Sequence, residues 1–244
     1  FKIPIKIARI RSPHYFIRND LFGNENLPID IFLDPENTVA NNILGLIQNI
    51  GATGIFPFDE IKLSLVLVKV TKMSRLCGKV WHKFIDEITS LGANAVAVQR
   101  NNRYLRLRRD LKLIENDEIY IVSPQNLIRH LLIEFGFNKE EKVSKVIIAG
   151  GGGVGSILAK KLLKQSCNVK IIDHDKETCS LLAEDLRAAT VLQGDASGRE
   201  LLFQENVEGV DIFCALTSDD EDNIISSLQA KYLGAKHALS LINN

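Results

Sequence analysis

The feature that most constrains this chain is the stretch Lys145-Val-Ile-Ile-Ala-Gly-Gly-Gly-Gly-Val-Gly-Ser156, followed by Val169-Lys-Ile-Ile-Asp173. A short apolar run enters a glycine cluster whose register gives G-x-G-x-x-G at Gly150, Gly152 and Gly155. Val154, Ile157, Leu158, Leu162 and Leu163 then recur at helical spacing, and a second apolar run ends on Asp173. Strand, glycine turn, helix, strand and acid in this order form the dinucleotide-binding fingerprint. Each part has a physical reason. Gly150 permits a tight turn, Gly152 lets a pyrophosphate approach the backbone, and Gly155 lets the helix lie close to the sheet. The helix N-terminus offers free N–H groups and a positive dipole end to phosphates. Asp173, at the carboxyl end of the neighbouring strand, is placed to accept hydrogen bonds from a ribose diol.

From Lys145 onward the pattern is strict βα alternation. Strands are expected near 145–149, 168–172, 189–192, 210–215 and 237–242, with helices near 154–165, 176–187, 198–205 and 220–233. This predicts an α/β fold with a Rossmann-like parallel sheet covered on both faces. Upstream, the pattern is different. Asp34-Pro35-Glu36 is a helix start signal, and Val39, Ile43, Leu44, Leu46, Ile47 and Ile50 give an apolar face that Gly51 ends. Strands follow near 53–58 and 63–70, then an amphipathic helix over Gly78–Leu91 carrying Val80, Trp81, Phe84, Ile85 and Ile88. Strands near 95–98, 104–107 and 118–122 complete a small α+β module. A helix over Gln125–Phe135 connects it to the parallel-sheet region. Before all this, 5–10 and 29–33 read as short strands around a helical segment from Ser12 to about Phe22.

The four cysteines (Cys77, Cys167, Cys179, Cys214) make no C-x-x-C pair and read as reduced, mostly buried thiols. The five histidines show no ligand spacing, so no metal is expected. Thirty basic residues balance thirty acidic ones, which argues against nucleic acid as a partner. The longest uncharged run, Asn37–Phe58, is too polar to span a bilayer. The missing initial Met and the complementary patterns of the two ends suggest a window cut from a tandem repeat.

Several residues have two readings. Asp175 is expected at a helix N-terminus. Gly194-Asp195-Ala196 ends the third strand at the edge where adenine would lie, or Asp195 caps a helix over 197–203. Thr217 and Ser218 follow the fourth strand across the switch point, where they bond a phosphate or ribose, or cap the next helix. The acidic run Asp219–Asp222 suits the dipole of that helix. His174 places a weak positive charge near a 2′-phosphate, against which Asp173 argues more strongly. Arg100, Arg103, Arg106, Arg108, Arg109 and Lys112 read as a solvated strand face, with Arg106 and Arg108 on one side. Trp81 and Phe84 read as core.

Ile7-Ala-Arg-Ile-Arg-Ser-Pro-His-Tyr15, the small middle module, Ala149–Ser156, Gly194-Asp-Ala-Ser197 and Thr217-Ser-Asp-Asp-Glu-Asp-Asn-Ile224 together resemble the TrkA family. These are regulatory subunits of bacterial Trk potassium uptake systems, built from tandem RCK domains. The resemblance implies that residues 1–34 are the tail of a first RCK N-lobe and 36–124 an RCK C-lobe. It makes 125–143 a linker helix and 144–244 a second, truncated N-lobe. It implies NAD or NADH, or ATP or ADP, as ligand, held by Gly150, Gly151, Gly152, Gly153, Val154, Gly155, Asp173, His174, Gly194, Asp195, Ala196, Thr217 and Ser218. It further implies a homo-oligomer at the cytoplasmic face of the plasma membrane, partnered with a potassium channel subunit, and no enzymatic activity. An NAD-dependent oxidoreductase and a vestigial assembly module are the alternatives. The first needs a general acid or base facing the nicotinamide, and the middle module shows no such constellation.

Overall fold

The computed structural model describes residues 4–9, 29–137 and 142–242. The helical segment expected over Ser12–Phe22 lies outside them. The chain forms two compact units, one from residues 1–41 with 143–244 and the other from 42–142.

β1 (Ile7–Arg9) and β2 (Ile31–Leu33) pair in parallel, with Ile7 opposite Ile31 and Arg9 opposite Leu33. α1 (Pro35–Gln48) then begins as its start signal requires: Asp34 Oδ1 accepts from the Asn37 N–H at 3.0 Å. Gly51, at φ +108°, turns the chain after this helix, where a side chain would be strained.

The second unit is an antiparallel sheet in the order β3-β4-β7-β5-β6. Its strands are β3 (Ala52–Phe58), β4 (Leu63–Lys69), β5 (Asn94–Arg100), β6 (Arg103–Leu105) and β7 (Glu118–Pro124). β4 and β7 bury alternate residues, so Val66, Val68, Ile119 and Ile121 form the floor of a core. α2 (His82–Ser90) and α3 (Ile128–Glu134) cover that floor.

Three expectations change here. α2 starts at His82, not Gly78, because the preceding residues pair with a facing strand-like segment. The Gly78 and Trp81 N–H groups donate to the Leu113 and Leu111 carbonyls, and Leu113 N–H returns to Lys79. Trp81, Phe84 and Ile88 are nevertheless core, as expected. α3, expected as part of a 125–143 linker, instead contributes Ile128, Leu131 and Leu132 to the core, with Phe135 just after it. The second unit accordingly runs to Lys142 and starts at Asn42, where 36–124 was expected. Finally, β6 stops at Leu105, so Arg106 and Arg108 share no strand face. Arg103, Arg106, Arg108 and Arg109 are exposed, but Arg100 is not part of a solvated face. Its guanidinium holds the fully buried Asp117 carboxylate with two bonds of 2.7 Å.

The rest of the first unit matches the expected alternation closely. β8 (Lys145–Ala149), α4 (Gly153–Lys164), β9 (Asn168–Asp173), α5 (Lys176–Asp185) and β10 (Thr190–Gln193) make one half. α6 (Arg199–Gln204), β11 (Ile212–Ala215), α7 (Asp220–Tyr232) and β12 (His237–Ser240) make the other. The five strands are all parallel in the order β10-β9-β8-β11-β12. Val146–Ala149 and Ile212–Ala215 are buried throughout, which is why these segments read as unbroken apolar runs. Strand order reverses between β8 and β11, and the crevice beyond their carboxyl ends is the general ligand position of such sheets.

Candidate functional site

The loops that leave β8, β9, β10 and β11 meet at this crevice around a cleft of about 560 Å³. The glycine loop forms its floor, and its glycines differ in what forces them. Gly150 has φ +101° and donates to the Ile172 carbonyl at 2.8 Å. A Cβ on it would lie 2.8 Å from the Leu216 backbone. A Cβ on Gly155 would strike the Gly150 carbonyl oxygen, so this residue sets how closely α4 approaches the turn. A Cβ on Gly151 would run into the Leu182 side chain. Gly152 is different. Its φ of −62° is open to any L-residue, and a Cβ there meets nothing within 4 Å. It stands at the N-cap of α4, which has no side-chain cap. The first-turn amides of α4, from Gly153 and half-buried Val154 onward, therefore keep the unsatisfied donors of a helix start.

Asp173 lies at the end of β9 with its side chain only 10% exposed. Its Oδ2 accepts from the Gly151 N–H at 2.6 Å and its Oδ1 from the Asp175 N–H at 2.9 Å. Each oxygen retains acceptor capacity beyond these bonds, and Asp173 lines the cleft. His174 is almost wholly exposed, 3.6 Å from Asp173 Oδ1. Asp175 caps α5 through Thr178, as expected, and that hydrogen bond holds its carboxyl below the usual range.

Gly194 N–H donates to the Asp173 carbonyl, tying the β10 loop to the β9 loop. Asp195 does not cap a helix at 197. Its Oδ1 accepts from the Ser197 N–H and hydroxyl at 2.8 and 2.7 Å, closing a local turn, while α6 begins only at Arg199 after Gly198. The Ser197 bonds also hold the Asp195 carboxyl below its ordinary value. Asp195 and Ala196 both line the cleft.

On the opposite wall, Asp219 caps α7 by accepting from the Asp222 N–H at 2.8 Å. Thr217 and exposed Ser218 form the loop before it. The residue that fixes this loop was not among the expected site residues. Asn223, fully buried in α7, accepts from the Thr217 N–H and hydroxyl and donates to the Thr217 and Leu241 carbonyls. Its signal was present in the run Thr217–Ile224, where it is the one amide among carboxylates. Thr178, Ser197, Asp222 and Ser226 also line the cleft and were not foreseen there.

Five carboxylates (Asp173, Asp175, Asp195, Asp219 and Asp222) face the cleft, and no Lys or Arg is found among its described lining residues. Backbone amides, hydroxyls and the α4 dipole, with His174 at the rim, are what this lining offers an anion. Among the described residues no His, Cys, Asp and Glu grouping could hold a metal ion, and no helix is long and apolar enough to cross a membrane.

Residues 146–244 match the TrkA-N domain. Over its full length the chain is 39% identical to the Trk system potassium uptake protein TrkA of Halomonas elongata, covering 53% of that protein. The chain is thus similar to TrkA proteins along its whole length. The TrkA protein of Haemophilus influenzae is 38% identical over 243 residues, again with 53% of its length covered. The chain thus spans about half the length of the curated TrkA relatives it matches. The GsuK RCK domain superposes with a TM-score of 0.59 at 18% identity, covering 96% of this chain and 53% of that one. The GsuK channel bound to NAD gives a TM-score of 0.55 at 18% identity, with 96% and 44% covered. The RCK fold expected from the sequence, a Rossmann-like parallel sheet plus a small α+β unit, is therefore present.

Proposed function

We propose that this TrkA-like chain is a regulatory module of a Trk-type potassium uptake system. It binds NAD or NADH in the cleft above β8 and β11, and the ligand biases the arrangement through which a membrane channel subunit is controlled. In this reading residues 1–34 are the tail of a first RCK N-lobe, the second unit is its C-lobe, and 144–244 are a second N-lobe. The assembly is a homo-oligomer on the cytoplasmic face of the membrane. ATP or ADP are the competing ligands at the same loop.

The observation that carries this reading is Gly152. Gly150 and Gly155 are demanded by the fold itself, because a Cβ on either would press on backbone atoms. The fold makes no such demand at Gly152, whose backbone is ordinary and whose surroundings are empty. A loop serving only as a strand–helix turn has room for a side chain there and would gain from a capping Ser, Asp or Asn; a loop on which a pyrophosphate lies against the backbone has room for none of them. Regulation is favoured over catalysis because the described lining of the cleft contains no Lys, Tyr or Cys, and His174 stands in solvent. Of its carboxylates, Asp173, Asp175, Asp195 and Asp219 already accept backbone N–H bonds that shape the loops, an arrangement suited to binding and orienting a ligand.

The test is calorimetric titration of the ligand-free protein with NAD, NADH, ADP and ATP, repeated on Gly152→Val. Saturable binding of one nucleotide is expected, lost in the variant, which stays folded with its melting temperature lowered by no more than about 4 °C through the poorer helix cap. A variant that binds as the parent does, or a folded parent that binds none of the four, overturns the assignment.

A further inference from the structure

The glycine run has a fourth member that the fingerprint does not require. Gly153 has an ordinary negative φ and is the first residue of α4. The three atoms nearest to a Cβ placed on it all belong to the carboxylate of Glu36, against which it would collide. Glu36 lies in the first turn of α1, some 117 residues earlier in the sequence (153 − 36). The absent side chain at Gly153 therefore makes room for a carboxylate beside the loop on which phosphates would lie.

The bland explanation of Glu36 is that an acid in a first turn suits its own helix dipole. That explanation does not require the packing seen. α1 is already capped by Asp34, through the Asn37 N–H. Nor does Glu36 form an ion pair or hydrogen bond among the described residues. A first-turn carboxylate free to point into solvent would serve α1 equally well. Instead it is set against the next residue after Gly152, one Cα–Cα step (about 3.8 Å) from the open position.

We propose that Glu36 is a specificity-determining residue of the nucleotide site, acting as a charge filter. Its carboxylate repels whatever negative charge is brought to the glycine loop, and the cleft's described lining supplies no Lys or Arg to offset it. The penalty grows with ligand charge, so a dinucleotide carrying one bridging diphosphate is accepted and ADP or ATP is disfavoured. This rests on the cleft being a nucleotide site, and it names which nucleotide class that site selects.

A phosphate over Gly152 lies roughly 6–8 Å from the Glu36 carboxylate, given the one-residue offset. In a cleft open to solvent, with an effective dielectric near that of water, such a separation changes affinity by about two- to threefold per ligand charge at low salt, and a lower local dielectric raises that factor. The Debye length falls from roughly 10 Å at 0.1 M salt to about 3 Å at 1 M, so the effect is screened as salt rises.

The experiment is titration of NAD, ADP and ATP into the parent protein and Glu36→Gln, each at low and high salt. The expected result is a gain in affinity in the variant that compounds by about two- to threefold per phosphate charge, so that it is smallest for NAD and largest for ATP, and shrinks at high salt. An equal gain for all three ligands would mark Glu36 as a packing residue and overturn the filter. So would no gain, or a loss. Binding of NAD to the parent with no charge-ordered change in the variant sinks this proposal and leaves the nucleotide site standing. Absence of binding to both proteins sinks both.

Discussion

Asn223→Asp is the most searching perturbation of the cleft wall, because it is nearly isosteric and changes only hydrogen-bond polarity. Asn223 Oδ1 accepts from Thr217 N–H and Oγ1 at 2.9 and 2.8 Å, and those bonds survive the change. Its Nδ2 donates to the Thr217 and Leu241 carbonyls at 3.0 and 2.9 Å, and there the variant places an oxygen against two oxygens. Asn223 is fully buried, so a charge introduced there has no water to turn to. If protonated, the new carboxyl donates to one carbonyl and forfeits the other bond, a cost of about 1–2 kcal/mol. If ionised, it is a buried unpaired charge, costing about 3–5 kcal/mol. Desolvation therefore raises the folded-state pKa of the introduced carboxyl above its unfolded value of about 3.9. A raised folded value means the folded state holds the proton more tightly, so relative stability is greatest below the unfolded pKa and is lost as pH rises through the folded one. The expected deficit is about 2 kcal/mol near pH 4.5 and about 4 kcal/mol near pH 7.5. Urea unfolding of parent and variant at both pH values, followed by far-ultraviolet circular dichroism, reads this directly. A deficit below about 1 kcal/mol at the higher pH, or the same deficit at both, would refute the argument that this amide pins the loop.

Two further predictions concern charges buried elsewhere. At the amino edge of the parallel sheet, burial would push the Asp211 carboxyl up. The Lys236 ammonium, the Ser144 and Lys145 N–H groups and the Ser144 hydroxyl more than reverse this and hold it well below the usual carboxylate range. With a depressed folded pKa, its contribution is complete above the unfolded value of about 4 and is lost as pH falls. Asp211→Asn should therefore cost about 2–3 kcal/mol at neutral pH and flatten the acid limb of a stability–pH curve; a parallel acid limb would contradict this. In the second unit, Arg100→Ala leaves the Asp117 carboxylate buried with, among the described residues, the Ile114 N–H as its remaining partner. A loss of about 3–5 kcal/mol is expected, read by the fluorescence of the single, buried Trp81, and a loss under about 1 kcal/mol would count against it.

The parallel-sheet region was legible because its strands are buried on both faces and its helices have one clear apolar side. Periodicity and length then agree at every element. The glycine–acid spacing located the cleft for the same reason: the turn demands glycine at Gly150 whatever else the chain does. The second unit was less legible. Val80 and Trp81 fit the helical face of Phe84 and Ile88, so periodicity extended α2 backward, but the backbone there is taken by the segment around Leu111–Leu113. Local pattern cannot see a partner thirty residues away. The basic run misled in a similar way, since only the fold brings Arg100 to a buried carboxylate contributed from the far side of a loop. Asn223 escaped notice because sequence shows a residue's type and not its burial. One amide inside an acidic helix start looks like solvated surface until all four of its bonds are visible.

The cleft also changes what a test of Asp173 would mean. Read from the sequence, this acid is a ribose ligand that also disfavours a 2′-phosphate. In the structure its Oδ2 is bonded to the Gly151 N–H, so the same carboxylate that would recognise the ribose also holds the glycine loop in shape. Its Oδ1 steadies the turn into α5 through the Asp175 N–H. Ribose recognition and phosphate recognition are therefore mechanically linked: an acceptor lost at Asp173 releases a loop amide as well as a hydroxyl. Removing this side chain would weaken every ligand that uses the loop, including one with no ribose contact at all. Reduced affinity in such a variant would not distinguish a lost ribose contact from a slackened phosphate cradle. Gly152 carries less of this ambiguity, because a Cβ there meets nothing within 4 Å and its carbonyl keeps the Ser156 N–H whatever the side chain. A change in binding there reports chiefly on the ligand side of the loop.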